Sequence, residues 1–294
     1  QGMPAIAITD HGNVFGAYEF NKKAIAAGVK PIIGIEAYVA PESRFEKKRV
    51  KWADGGEDDV SGGGAYTHMT LLAENNEGLS NLFKLSSLAS LEGYYHKPRM
   101  DRDLLSKYGK GLIATTGCPG GEIQTRLRMG AYKEAKQAAS ELRDIFGAEN
   151  FYLEIMDHGI DIETRVKADL LKLGKELGLP LLATNDLHYT HHEDAASHEA
   201  LLCVQSGSTL ADPKRFKFEN NEFYLKSAQE MRKLFSDIPE ACDNTLLIAE
   251  RCNITMRENE NLLPQYSVPK GETEDSWLRK ESNIGLLEKL EGKV

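Results

Sequence analysis

The sequence predicts an α/β fold in which a mainly parallel sheet is covered by helices. Short β-rich runs, most of them with a polar residue toward the end, alternate with segments whose apolar residues recur at intervals of three and four. This alternation is typical of a parallel sheet with helices on its faces. In a barrel built this way the loops at the carboxyl ends of the strands converge, so polar residues at those ends should share one rim.

Six runs are predicted to be strands. They occupy residues 5–9, 31–39, 68–73, 111–118, 151–158 and 180–188. The segments between them predict helices, and most of these segments end in glycine, as helices often do. His68 is an exception to the shared rim, because it opens its strand instead of closing it.

Composition and charge restrict the class of protein. At 294 residues, of which 41% are hydrophobic, the chain is long enough for one barrel-sized domain or two smaller ones. No apolar run is long enough to cross a bilayer and no signal peptide opens the sequence, so we expect a cytoplasmic protein with no membrane partner. The net charge of −9 argues against binding nucleic acid by charge alone, but it allows a phosphate that a metal ion bridges.

The cysteines indicate free thiols. The chain has four of them, too few and too widely spaced for a disulfide framework, and no CxxC pair that would indicate a structural zinc site.

Six side chains in or beside the predicted strands belong to metal-ligand types. Imidazole, carboxylate and thiolate groups bind zinc, manganese and iron, and several strand ends can surround a metal cluster. Asp186 and His188 should point to the same side, because side chains alternate along a strand. Glu36 is a carboxylate in an otherwise apolar strand, where an unpaired charge would be costly. The six candidates are His11, Glu36, His68, Cys118, Asp186 and His188.

Structural interpretations of these residues stay open. A histidine at a strand end is often a hydrogen-bonded structural residue, and Cys118 can be a small buried hydrophobe. Asp10 either caps the following helix or orients His11 as a hydrogen-bonding carboxylate. Glu154 and His158 lie toward the same rim and are weaker candidates for contact with the site.

Three other polar residues receive structural interpretations. His191 and His192 precede an acidic pair, which fits exposed residues at the start of a helix. Arg99 could bind a phosphate, but a structural salt bridge is the preferred interpretation.

The chain is expected to divide near residue 262. Residues 1–262 would form the barrel domain with its carboxyl-terminal helices, and 263–294 a linker with an unassigned short helix. Prolines favour an extended linker over 263–277, and a short amphipathic helix is predicted within 281–294. The acidic, glycine-rich stretch between residues 50 and 66 is predicted to be a surface loop.

These residues, in this order, resemble the PHP (polymerase and histidinol phosphatase) superfamily, and most closely the PHP domain of bacterial replicative DNA polymerases. The resemblance runs from about Met3 to at least Trp277, without visibly reaching the final residues. It is carried by the blocks MPAIAITDHGNVFGAYEF, KPIIGIEAYVA, HMTLLAENNEGLSNLFKLSS, KPRMD, TTGCPGGEI, YLEIMDHGI and LLATNDLHYT. It implies a seven-stranded β/α barrel.

The resemblance also implies a metal site. The family's later ligand positions fall on the six candidates, and the cofactor would be a cluster of up to three divalent ions, Zn or Mn. The family's first strand bears a His-x-His pair followed by an acidic residue, and no such element occurs in this sequence. We therefore expect that strand upstream in a longer chain.

The same resemblance implies a function. The parent protein would be a DNA-directed DNA polymerase, and this amino-terminal portion its metal-dependent 3′–5′ proofreading exonuclease, without the polymerase carboxylates. Its partners would be the primer 3′ end of DNA, the palm and thumb domains of the same chain, and replisome subunits such as the sliding clamp. Two alternatives stay open: a catalytically silent module that supports the polymerase and docks a separate proofreading exonuclease, and a free-standing PHP phosphoesterase.

Overall fold

The computed structural model describes residues 1–51, 62–260 and 263–291. The predicted loop between residues 50 and 66 therefore lies mostly outside the described residues. The chain forms two compact units, Gln1–Met256 and Arg257–Val294.

The first unit contains a seven-stranded sheet. Its strands are β1 (Ala5–Ile8), β2 (Lys30–Val39), β3 (Thr67–Ala73), β4 (Arg99–Met100), β5 (Leu112–Thr115), β6 (Phe151–Ile155) and β7 (Leu181–Ala183). The strand order is β1-β2-β3-β5-β6-β7, with β4 paired to β2. The predicted α/β class with a barrel-like sheet is confirmed, and the two-residue β4 is an addition too short to show a period in the sequence.

The direction of β3 corrects the position predicted for His68. β3 runs antiparallel to both β2 and β5, whereas the other pairings are parallel. An antiparallel strand begins at the edge where its neighbours end. His68, the second residue of β3, therefore lies on the same rim as the carboxyl ends of β2 and β5.

Nine α-helices are described in the first unit. They are α1 (Ala17–Ala26), α2 (Asn76–Leu91), α3 (Arg102–Tyr108), α4 (Glu122–Arg128), α5 (Tyr132–Phe146), α6 (Asp161–Leu177), α7 (Ala195–Ser206), α8 (Ala228–Leu234) and α9 (Pro239–Arg251). Side-chain caps begin several of them: Asn75 accepts a hydrogen bond from the first turn of α2, Asp101 from α3 and Ser227 from α8. Across the described residues, no helix combines the length and apolar character that crossing a bilayer requires.

The second unit contains α10 (Glu274–Leu290). The predicted linker over 263–277 is thus too long and the predicted helix too short. The reason is a capping box: the Thr273 side chain accepts a hydrogen bond from the backbone N–H of Ser276, while Ser276 Oγ accepts one from the backbone N–H of Thr273. This cap starts the helix before the apolar residues on which the prediction relied.

Alternation along the strands separates two apolar clusters. On one face, Ile33, Ile35 and Leu71 join the large core formed with the covering helices. On the other face, a smaller cluster lies inside the curled sheet and is closed by residues from the end of α9. Its buried members are Ile32, Leu72, Ile113, Tyr152, Leu182, Ile248 and Cys252.

Arg251, at the end of α9, fixes the end of the sheet opposite the rim. Its Nη2 lies 2.8 Å from Glu74 Oε1, directly after β3, and its Nη1 donates to the carbonyl of Glu149 at 2.7 Å, before β6. Lys30, at the start of β2, donates to the carbonyl of Ala249 at 2.5 Å. One end of the sheet is thereby closed by α9, and polar side chains are left to the other end.

Gly78 provides a test of the packing around α2. A Cβ at Gly78 would lie 1.7 Å from the carbonyl oxygen of Gly111, which accepts a hydrogen bond from Glu74 N–H. We expect Gly78→Ala to lower the free energy of unfolding by about 1–3 kcal/mol through overpacking. Urea denaturation followed by circular dichroism measures this change.

Gly285, in α10, is the matched control, because nothing lies within 4 Å of the Cβ it would gain. Gly285→Ala should leave the unfolding midpoint of the first unit unchanged. Equal midpoints for the two variants would show that the close approach at Gly78 is not a constraint.

Candidate metal centre

Three of the six candidate ligands converge on the rim. His11, Glu36 and His68 each offer one ligand atom, and these atoms all lie within 4.8 Å of one another. His68 Nδ1 is 2.5 Å from Glu36 Oε1, and His11 Nε2 is 3.4 Å from Glu36 Oε2. The two oxygens of one carboxylate thus each face a different imidazole ring.

Strand register places Glu36 beside His68. In the β2–β3 pairing Tyr38 stands opposite His68 and Glu36 opposite Thr70. Glu36 and His68 are therefore diagonal neighbours on the same face of the sheet, a separation that long side chains span.

Backbone hydrogen bonds hold His11 against β2. Gly12 N–H donates to the carbonyl of Glu36 at 2.9 Å, and Glu36 N–H donates to the carbonyl of Asp10 at 3.0 Å. Gly12 has φ +70°, and a Cβ there would lie 2.8 Å from the Tyr38 ring. Glycine at this position lets the chain turn tightly after β1 and leaves His11 at the rim.

Cys118 joins the three residues from the loop after β5. Its Sγ lies 3.5 Å from Glu36 Oε1 and 3.4 Å from His68 Nδ1. The buried side chain of Gln124 fixes this loop by donating to the carbonyl of Gly117 at 2.7 Å. The thiol is therefore part of the cluster and not a hydrophobe in the apolar core.

Asp186 and His188 lie outside the group of ligand atoms that are within 4.8 Å of one another. His188 Nδ1 is 3.9 Å from Asp186 Oδ1. Burial lowers the pKa of His11, and Asp186 and His188 are among the charged groups that modify it. Both residues thus lie close enough to His11 for their charges to shift its pKa. Asp186 has φ +39°, an unusual value for a residue with a side chain.

Two opposed effects set the charge of Glu36. Burial raises its pKa, but the hydrogen bond with His68 and the nearby imidazoles outweigh burial and hold the pKa below its ordinary value. The carboxylate is therefore ionised inside the sheet and faces hydrogen-bond donors.

The pKa of the Cys118 thiol is shifted in the opposite direction, upward. Burial, together with the charges of Glu36 and Asp186, raises its pKa well above the ordinary value. A divalent cation would favour the thiolate and the carboxylate together, and it would take neutral imidazole as a further ligand. The donor set present on the rim fits a metal ion.

Two tyrosines form a wall of the site. Tyr38 stacks on His11 with ring centroids 5.8 Å apart, Tyr66 stacks on His68 at 5.8 Å, and the two tyrosine rings lie 4.8 Å apart. Sequence reasoning missed both. The signal for Tyr38 was present, since it lies two residues after Glu36 and must face the same side of β2.

Glu154 lies inside the sheet but makes no hydrogen bond or ion pair with the six candidates among the described residues. Thr184 Oγ1 donates to its Oε1 at 2.6 Å, and Thr115 Oγ1 donates to its Oε2. Burial raises the pKa of Glu154 to about 7, with smaller contributions from the charges of Asp186 and Glu36. It is a buried acid that joins β5, β6 and β7.

Arg99 is structural, but within the described residues it makes no salt bridge with an acid, and backbone carbonyls take that place. Its guanidinium is fully buried and donates hydrogen bonds to backbone carbonyls, and burial lowers its pKa. The accepting carbonyls belong to Gly93, Ala65, Arg44 and Glu46. Arg99 thus joins the loops beside β4 and is not available to a phosphate.

Asp10 does not cap the following helix, because the N-cap of α1 is Gly16 and no side-chain hydrogen bond caps this helix. Within the described residues its carboxylate makes no hydrogen bond or ion pair, so a role in orienting His11 stays a prediction. His191 is the N-cap of a short 3-10 helix (His192–Asp194), and both His191 and His192 are exposed.

A barrel-like sheet with histidine, carboxylate and thiol groups on one rim is the arrangement that the PHP resemblance implies. The family model described as "PHP domain" matches residues 1–158, more than half of the chain. The chain belongs to the PHP domain family. The match includes His11, Glu36, His68 and Cys118 and ends before Asp186.

Relatives extend the similarity beyond the matched domain. The chain is 56% identical to DNA polymerase III subunit alpha of Mycobacterium leprae over 97% of its length. It is 54% identical to the same subunit of Mycobacterium tuberculosis over 97% of its length, and 43% identical to that of Thermus aquaticus over 99%. The predicted resemblance to a replicative polymerase is confirmed, and at 99% coverage the similarity includes α10, which the sequence blocks did not reach.

The chain spans about a quarter of the length of these relatives: 25%, 25% and 24% respectively. What their names state about activity applies to proteins roughly four times as long.

The raised pKa of Glu154 predicts that the free energy of unfolding depends on pH. In the unfolded chain its carboxyl loses the proton near pH 4.5, whereas in the folded protein the pKa is about 7. Between these values the unfolded state binds fewer protons, so stability falls as pH rises, by on the order of 3 kcal/mol.

The expected result is that Glu154→Gln removes this fall. In the presence of a chelator, the free energy of unfolding of the variant relative to wild type should rise between pH 5 and pH 7. Glu134→Gln, on the exposed side of α5, is the control and should follow wild type. A pH-independent difference for Glu154→Gln would contradict the assignment.

Proposed function

We propose that this chain is the PHP portion of a replicative DNA-directed DNA polymerase and that its rim is a metal-dependent 3′–5′ proofreading exonuclease site. The observation that carries the proposal is the convergence of His11, Glu36 and His68, with ligand atoms within 4.8 Å of one another, in a PHP-family chain. Its similarity to DNA polymerase III alpha subunits supports DNA as the substrate.

Two of the proposed ligands lie in strands, one in β2 and one in β3, and four lie in the loops that follow β1, β5 and β7. Glu36 lies between the two imidazoles and would hold metal through its carboxylate; the proposed metal is Zn or Mn, with up to three ions in the complete cluster. When bound, such ions lower the pKa of a coordinated water and offset charge on the phosphate and the leaving 3′ oxygen. The proposed ligands are His11, Glu36, His68, Cys118, Asp186 and His188.

The other side chains of the rim would position the strand. Tyr38 and Tyr66 form a wall against which a terminal nucleotide can lie. Lys97 Nζ lies 5.5 Å from the centroid of the Tyr38 ring, so a cation stands beside the site. We propose that other parts of the polymerase, including its palm and thumb domains and the sliding clamp, deliver the primer 3′ end, which is consistent with the net charge of −9 on this chain. Such a protein would act in the cytoplasm.

Asp186→Asn tests the nuclease proposal in the full-length protein. The amide cannot supply the charge of the carboxylate, so we expect weaker metal binding by the remaining ligands and shortening of a mispaired primer that is slower by on the order of 100-fold. Asp161→Asn is the matched control, since Asp161 is an exposed residue at the start of α6.

Metal analysis and a primer-shortening assay of the purified protein, free of partners, distinguish the candidate functions. Wild-type protein that holds no metal and leaves the primer intact would contradict the nuclease proposal and favour the structural module. Hydrolysis of a small phosphate ester without attack on DNA would favour a phosphoesterase.

Cys118→Ser tests the thiol directly. A Co²⁺ ion bound through a thiolate gives sulfur-to-metal charge-transfer absorption, which a hydroxyl ligand does not. We expect this band in wild type and in Cys242→Ser, whose buried thiol lies in the large apolar core, and its loss in Cys118→Ser. A band that survives in Cys118→Ser would remove Cys118 from the ligand set.

A further inference from the structure

His158 is a buried titratable residue that the proposed chemistry does not use. Its side chain is fully buried, and its ring stacks on Phe223 with centroids 4.0 Å apart. Nδ1 lies 2.6 Å from Glu163 Oε1, and Nε2 lies 2.8 Å from the carbonyl oxygen of Asn185. A carbonyl oxygen only accepts, so Nε2 carries a proton and donates it to Asn185.

Glu163 keeps this ring in place. Its second oxygen accepts a hydrogen bond from the backbone N–H of His158 at 2.7 Å, so one carboxylate binds both the ring and the backbone of the same residue. Burial lowers the pKa of His158, but the hydrogen bond and charge of Glu163 outweigh burial and raise it. The carboxylate of Glu163 thus fixes the ring through Nδ1 while Nε2 faces Asn185.

The carbonyl that His158 holds belongs to the peptide directly before Asp186. Because a peptide is planar, fixing the direction of the Asn185 carbonyl fixes the plane from which the φ angle of Asp186 is measured. Asp186 has φ +39°, a value that persists only when the surroundings enforce it. His158 is thus hydrogen-bonded at the one group that controls this angle.

Residues 220–226, which we call the strap, hold the same peptide from the other side. The side chain of Asn185 donates to the carbonyl of Tyr224 at 2.5 Å and accepts from the buried Lys226 Nζ at 3.1 Å. His188 N–H donates to the carbonyl of Phe223 at 2.9 Å. The strap therefore fixes the backbone on both sides of Asp186.

We propose that His158, supported by Glu163 and the strap, is a positioning residue that keeps the backbone of Asp186 in the conformation that directs its carboxylate to the metal centre. The proposal rests on the proposed function only in taking Asp186 as a metal ligand. In this role His158 acts through the backbone of Asp186 and is not itself a metal ligand.

The competing interpretation is that His158 only packs the core. Both interpretations predict a loss of stability when the ring is replaced. They differ in the coupling to Asp186: a positioning residue should lose its effect on metal affinity once Asp186 can no longer bind metal, whereas a packing residue should act independently.

The test is a Co²⁺ titration of the full-length protein, followed by absorption in the visible range. His158→Phe keeps a ring against Phe223 and removes both donors. We expect the affinity for Co²⁺ to fall roughly 10–100-fold, as found for residues that orient metal ligands. In the Asp186→Asn background the same substitution should cause no further loss.

Two further variants keep the test informative if His158→Phe folds poorly. Lys226→Met removes the ammonium donor from Asn185 and should lower Co²⁺ affinity in the same direction, again only when Asp186 is present. His192→Phe is the control, because His192 is exposed and lies edge-on to Tyr224 in the strap without contacting Asn185. It should bind Co²⁺ as wild type does.

Each possible outcome either supports or overturns the positioning role of His158. Equal affinities in wild type, His158→Phe and Lys226→Met, or equal losses with and without Asp186, would overturn the positioning role. Wild-type protein that binds no Co²⁺ would overturn it together with the metal site. Loss of Co²⁺ affinity with the expected coupling, in a wild-type protein that does not shorten DNA, would support the positioning role while the nuclease proposal fails.

Discussion

The register between β2 and β3 is the constraint on which the site depends. A shift of one residue would turn the side chain of His68 to the opposite face of the sheet, away from Glu36. The register is held by the apolar residues of the outer face, where Ile35 and Leu71 are buried against the helices. Each such side chain contributes about 1.5–3 kcal/mol when fully buried, so packing on one face determines the position of the metal ligands on the other.

Two carboxylates inside the sheet show how the surroundings set the charge. Glu36 faces two imidazoles, and its pKa lies below the ordinary value. Among the described residues, the Glu154 carboxyl accepts hydrogen bonds from the hydroxyl groups of Thr115 and Thr184, and burial raises its pKa to about 7. The ionised group is at the rim, where a cation can reach it, and the acid that holds its proton near neutral pH bridges the strands below.

The parts of the molecule that depend on local pattern were predictable from the sequence. Alternation of strands and helices gave the fold class, and the cost of a buried charge singled out Glu36. The direction of β3 was not predictable, because the period of two is the same for parallel and antiparallel strands. The start of α10 does not follow from apolar periodicity, because the helix begins at the cap on Thr273, ahead of most of its apolar residues.

Contacts between distant parts of the chain account for the remaining differences. Arg99 was expected to pair with an acid, but it binds carbonyls that only the folded loops bring together. The hydrogen bond from His158 to Asn185 joins residues 27 positions apart. Its acceptor is a backbone oxygen, which every residue type has, so the identity of residue 185 does not reveal it. Such contacts are set by tertiary structure, and sequence pattern does not encode them.

A crystal structure of the full-length protein soaked with Mn²⁺, with anomalous diffraction recorded for the metal, tests the central claim most directly. We predict an anomalous peak between His11, Glu36 and His68, with ligand atoms at about 2.0–2.3 Å. The direct 2.5 Å hydrogen bond between His68 Nδ1 and Glu36 Oε1 should be broken in favour of the ion. Mn²⁺ bound elsewhere, with that hydrogen bond intact, would contradict the account.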